Sequence, residues 1–111
     1  MKVTISTIDE FDRQAHQLAK KYKSLKADLK TLREEIMKNP LLGTDLGSGV
    51  RKVRMAIASK GKGKSGGARV LTLNMLVFGD AEVTLLAIYD KNEIENVSDN
   101  YIKWLVSEAM K

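Results

Sequence analysis

Residues 51–59 read Arg-Lys-Val-Arg-Met-Ala-Ile-Ala-Ser, and in them the hydrophobic period changes to two. Val53, Met55 and Ile57 fall on one face, and Lys52, Arg54, Ala56 and Ala58 on the other, which is the pattern of a strand with one face in a core. Upstream the period is helical. After a short strand expected at Val3 to Ile5, Ile8, Phe11, Ala15, Leu18, Ala19 and Tyr22 recur at helix spacing, with Thr7 or Asp9 as the cap. Leu25, Leu29, Leu32 and Ile36 repeat in a second helix that Ser24 caps and Asn39-Pro40 stops. The short link between them predicts an antiparallel helical hairpin.

Residues 43–49, Gly-Thr-Asp-Leu-Gly-Ser-Gly, read as a turn-rich boundary. Downstream, Val70 to Phe78 is a continuous apolar strand, Gly79-Asp80 is a turn signal, and Val83 to Tyr89 is another buried strand. Ser98 caps a last helix holding Ile102, Leu105 and Ala109, with Trp104 alongside. The order β-α-α-β-β-β-α predicts an α+β fold. Three consecutive strands make an antiparallel meander, the helical hairpin covers one of its faces, and a helix closes the chain.

At 111 residues one domain over 1–111 is expected. There is no cysteine, which excludes disulfides and thiolate metal sites, and with a single histidine no ligand cluster forms around the basic segment. No metal or cofactor is therefore expected. The first residues lack a signal-like apolar run, and no stretch approaches the ~18 apolar residues of a membrane span, so a cytoplasmic location is expected.

The charge is concentrated. Net charge is +5, yet Arg51, Lys52, Arg54, Lys60, Lys62, Lys64 and Arg69 lie between 51 and 69 with no acid among them. The twelve basic residues elsewhere are outnumbered by 14 acids. Such focusing favours a polyanionic partner over a merely solvated loop, which would interleave acids. Gly63-Lys64-Ser65 has the ending of a nucleotide phosphate loop, but Ala58 stands where the first glycine belongs. The run after it, Val70-Leu71-Thr72-Leu73, has strand character, so no helix N-terminus faces a phosphate. A glycine-rich hairpin loop that carries lysines is the better reading, with Arg69 opening the next strand across from the end of the first.

RNA cleavage by 2′-hydroxyl attack needs a base, cations for the charge that builds on phosphorus, and an acid for the leaving oxygen. His16 lies with Asp12 and Lys20 on the polar face of its helix and reads as a solvated residue. Crowded lysines offer an alternative for proton transfer, because like charges nearby disfavour protonation. Arginine stays charged and fits phosphate oxygens in a planar fork.

The basic run RKVRMAIASKGKGKSGGARV, the later LLAIYDKNE and the preceding helical hairpin resemble the RelE/ParE superfamily of toxins, closest to its HigB-like branch. The resemblance covers essentially the whole chain. It implies a ribosome-dependent messenger RNA endonuclease of a toxin–antitoxin system, with the ribosome, messenger RNA and a cognate antitoxin of helix-turn-helix type as partners. ParE-like relatives share the fold and instead inhibit DNA gyrase. By similarity, Lys52 and Arg54 match the basic pair on the strand and Arg69 the arginine that opens the next. Arg54 and Arg69 are then expected to stabilise transition-state charge, with Lys52 or Lys64 in proton transfer. Arg51, Lys60, Lys62 and Lys91 are expected to bind phosphates. The pattern departs at Asn92, where the family places an arginine, and at Tyr101, which does not align with the family tyrosine. Tyr89, at the strand end, is a candidate substitute for that tyrosine and equally a candidate core-edge residue, and Lys91 is a candidate for the missing cation.

Overall fold

The alternation that begins at Val50 builds a strand, and a five-stranded sheet is assembled around it in the order β1-β5-β4-β3-β2. The computed structural model describes residues 1–94 and 96–111. Its elements are β1 (Val3–Thr7), α1 (Asp9–Lys21), α2 (Leu25–Lys38), β2 (Thr44–Gly47), β3 (Val50–Met55), a 3-10 turn (Ala58–Lys60), β4 (Ala68–Val77), β5 (Asp80–Asp90) and α3 (Asp99–Ala109). β2 to β5 form an antiparallel meander, while β1 adds to β5 in parallel. A parallel neighbour needs a crossover, and α1 and α2 lie in the chain between β1 and the meander.

The expected α+β architecture is the observed one, with local corrections. Residues 44–47 were expected in a turn and instead form β2. All four residues of β2 are exposed, so no apolar alternation marks it. Gly47, Ser48 and Gly49, with φ of 91°, 55° and 81°, then reverse the chain directly into β3. β3 ends at Met55, not Ser59, although Ile57 still reaches the core. Ile8, not Thr7 or Asp9, occupies the α1 N-cap and makes no side-chain cap, because Thr7 is committed to β1. Ser24 stands at the α2 N-cap without capping it. Its hydroxyl donates to Asp28 Oδ2 and accepts from the Ser59 N–H, each at 2.8 Å, which ties the start of α2 to the 3-10 turn. Ser98 does cap α3, accepting from the Tyr101 N–H at 3.1 Å.

Side chains divide between two cores. Phe11, Leu18, Leu25, Leu32 and Ile36 of α1 and α2 pack on Val53, Met55, Val70, Leu85 and Ile88. On the other face, Leu105 of α3 packs on Val50, Leu71, Leu73, Leu86 and Tyr89. Helices therefore cover both faces of the sheet. α3 reaches Val50 and Leu73 but leaves the far ends of β3 and β4, at Arg54 and Arg69, uncovered. Among the described residues, no helix is long and apolar enough to cross a membrane.

Candidate nucleic-acid interface

On that uncovered end the strand register sets two cations against each other: Arg54 pairs directly with Arg69. Residues opposite one another in an antiparallel pair project to the same face with Cβ atoms about 4.5–5.5 Å apart, where like charges destabilise. Lys52, two residues back on β3, shares that face, and Thr44 of β2 lies opposite Lys52. Lys91 comes directly after β5 and is held against the start of β4 by its N–H donating to Gly67 O at 3.1 Å. Thr44, Lys52, Arg54, Arg69 and Lys91 together line a concavity of about 330 Å³. Four cations and a hydroxyl surround it, and among the described residues no carboxylate lines it.

Other basic residues lie elsewhere. Arg51 alternates onto the opposite face with Val53 and Met55, and donates to Leu41 O and Gly43 O at 3.1 Å each. Lys60, expected among the phosphate contacts, is turned inward, its side chain 9 % exposed and its ammonium 2.7 Å from Asp90 Oδ1. Lys64, expected with Lys52 as a proton-transfer candidate, leans to α2 and pairs with Glu35 at 3.0 Å, and it does not line the concavity. Lys62 is exposed on the loop. Arg69 is partly committed, donating to the carbonyls of Lys64 and Ser65 at 3.1 Å and of Ala68 at 3.2 Å. Its Nε and part of Nη2 remain for a ligand. Ser65 leads through Gly66 and Gly67 into β4, so the Gly63-Lys64-Ser65 triplet has no helix behind it.

A family model described as "RelE toxin of RelE / RelB toxin-antitoxin system" matches residues 9–111. The chain belongs to the RelE toxin family. A solved structure of the E. coli toxin RelE, a double arginine-to-alanine mutant in the free state, is similar at a TM-score of 0.57 with 12 % identity. The match covers 99 % of this chain and 96 % of that one, and at such identity it speaks for the fold. Family membership makes the protein a toxin of a toxin–antitoxin system and implies an antitoxin partner.

Among the described residues of this RelE-family toxin, neither Tyr89 nor Tyr101 stands open at the concavity. Tyr101 is engaged elsewhere, donating to Glu10 Oε2 at 3.1 Å and accepting from Gln14 at 2.8 Å. Tyr89 lies across from Arg69 on β5, but its ring is buried in the second core. Its hydroxyl has no hydrogen-bond partner among the described residues. Burial pushes the phenol above its usual range, and the Arg69 guanidinium only partly offsets that. His16 is exposed on α1.

Sequence reasoning passed over Asp90. It closes β5 and is 1 % exposed. Its carboxylate accepts from Lys60, from the Tyr22 hydroxyl and from the Asn92 N–H. The signal was an acid placed directly after an otherwise apolar strand. Burial alone would raise its carboxyl, but the hydrogen bonds from Lys60, Tyr22 and Asn92 outweigh it and hold the group at about 2. A carboxyl depressed below its unfolded value of about 3.9 adds stability that is fully present above that value and lost as pH falls toward the folded one. The difference is on the order of 2 kcal/mol. Urea midpoints are expected to fall between about pH 4 and pH 2, with a flatter profile for Asp90→Asn. Parallel profiles for the two proteins would show that other groups set the acid limit.

Proposed function

We propose that this toxin is a ribosome-dependent messenger RNA endonuclease of the HigB-like branch, cutting by metal-independent attack of the 2′-hydroxyl. The observation that carries this reading is the concavity that Lys52, Arg54, Arg69 and Lys91 line together, with no acid beside them among the described residues. Cations held side by side on a sheet cost stability in the free protein and are useful only where negative charge gathers. Arg54 and the unspent donors of Arg69 take the phosphate oxygens as charge grows on them. Lys52, alongside on β3, is placed for proton transfer, and Lys91 holds a flanking phosphate. The work takes place in the cytoplasm, where the ribosome presents the message.

Among the described residues no aromatic lines the concavity for a base to stack on, so affinity comes from phosphates and the base positions from the ribosome. The antitoxin would neutralise by setting an acidic segment over the same cations.

Binding of a short single-stranded RNA at stepped salt concentrations tests the site. Four neutralised phosphates give a log–log slope of roughly −3, from about 0.7 per phosphate on a single strand. A slope near zero would remove the concavity as the binding surface.

A further inference from the structure

Asp90 and Lys60 form a buried pair directly behind the concavity, and neither side chain enters its lining. The Asp90 carboxylate joins segments that are distant in sequence. Oδ1 accepts from Lys60 at 2.7 Å and from the Asn92 N–H at 2.9 Å, while Oδ2 accepts from the hydroxyl of Tyr22 at the end of α1. The Lys60 ammonium also lies 5.8 Å from the centre of the Tyr22 ring, and Lys21 approaches the carboxylate at 3.9 Å. Lys60 is the residue from which the glycine-rich loop departs, at Gly61 with φ 75°. Asn92 belongs to the turn that carries Lys91. At its other end the loop is held by the Arg69 guanidinium on Lys64 O and Ser65 O, and by the Lys91 N–H on Gly67 O.

We propose that the Lys60–Asp90 pair positions the cationic rim of the site, fixing the 61–67 loop and the Lys91 turn against the sheet so that Arg69 and Lys91 face the concavity. This rests on the reading of that concavity as an RNA site, and it makes Lys60 and Asp90 positioning residues, not phosphate contacts. Compared with a well-packed apolar pair, a buried ion pair contributes little net stability, since desolvation offsets most of the attraction, although removing or neutralising one partner alone is costly. What this one supplies is geometry: one carboxylate fixes where the turn after β3 and the turn after β5 meet. Lys60 is also the basic residue of the run whose charge is cancelled at contact distance by a buried acid, so it adds little field at the site.

Charge and positioning predict opposite signs for Asp90→Asn. That substitution removes a negative charge beside a polyanion site, and electrostatics alone would tighten RNA binding. If the pair positions the rim, Asp90→Asn and Lys60→Met should each bind a short single-stranded RNA at least about tenfold more weakly at low salt, as displaced rim cations lose their geometry. Near-UV circular dichroism confirms the fold of each variant first. Equal or tighter binding by folded Asp90→Asn would overturn the proposal. Amide hydrogen exchange on the free proteins provides a readout that needs no RNA and, in Lys60→Met, no carboxylate change. Protection is expected to fall at residues 61–67 and at Lys91 while β4 and β5 keep theirs. Unchanged protection in the loop would also overturn it. If the wild-type protein shows no salt-sensitive RNA binding, the functional reading fails, and the exchange result still decides the positioning claim.

Discussion

Arg54→Ala is expected to cut messenger cleavage about 10²–10³-fold, the loss typical of removing one preorganised stabiliser of transition-state charge. The same variant should keep its thermal stability or gain slightly. Arg54 is exposed, makes none of the hydrogen bonds or ion pairs seen among the described residues, and faces Arg69 across the strand pair. Removing one of two directly opposed like charges relieves about 0.2–1 kcal/mol of repulsion. Loss of activity together with unchanged or raised stability is what separates a site residue from a structural one. Arg69→Ala should also abolish activity, but it is a less clean test, because its guanidinium holds the Lys64 and Ser65 carbonyls as well. Measured cleavage by Arg54→Ala at the wild-type rate would take this residue out of the mechanism.

The largest structural effect is expected at Gly67, where β4 begins beside the end of β3. A Cβ there would stand 2.1 Å from Met55 O and 3.0 Å from both Ala56 Cα and Ile57 N. All three are backbone atoms, so nothing nearby can rotate away. Gly67→Ala must spread the β3–β4 pair at the point where Arg54 and Arg69 meet, and a loss of about 3–5 kcal/mol is expected, in the range reserved for strained or overpacked sites. Gly63→Ala makes a useful comparison. Its Cβ meets nothing within 4 Å, and its φ of 64° costs only about 1–2 kcal/mol. Urea denaturation of both variants checks the order; a smaller loss for Gly67→Ala than for Gly63→Ala would contradict the close backbone approach in this hairpin.

The parts of the fold legible from sequence were those in which burial imposes a period. Phe11 and Leu18, then Leu25, Leu32 and Ile36, each face the sheet as their spacing demands. Val53, Met55 and Ile57 do the same from the other side. β2 was hidden because its four exposed residues carry no such pattern; it pairs with β3 through its backbone, and Asp45 stands 3.9 Å from Arg51. Charge reasoning found the basic segment, and the alternation correctly set Lys52 and Arg54 on one face. The strand was expected to run to Ser59, with Arg69 across from that end, so the direct Arg54–Arg69 pairing was not legible. Nor could charge reasoning tell which lysines would find acids. Glu35 and Asp90, distant in sequence, draw Lys64 and Lys60 out of the cluster, and only tertiary packing brings those acids near. Its place at a strand end left Tyr89 open as a site residue or a core-edge residue, and packing in the cluster with Leu105 makes it the second.

The central claim is that the concavity lined by Lys52, Arg54, Arg69 and Lys91 cleaves messenger RNA on the ribosome. The most direct measurement adds the purified protein to a translating extract and tracks the 5′ ends of the messenger, with a ribosome-depleted extract and Arg54→Ala as controls. New cuts are expected that require ribosomes, carry the 2′,3′-cyclic or 3′-phosphate end left by 2′-hydroxyl attack, and disappear with Arg54→Ala. Intact messenger alongside inhibited gyrase and broken chromosomal DNA in expressing cells would contradict the claim and assign the toxin to a ParE-like mode of action.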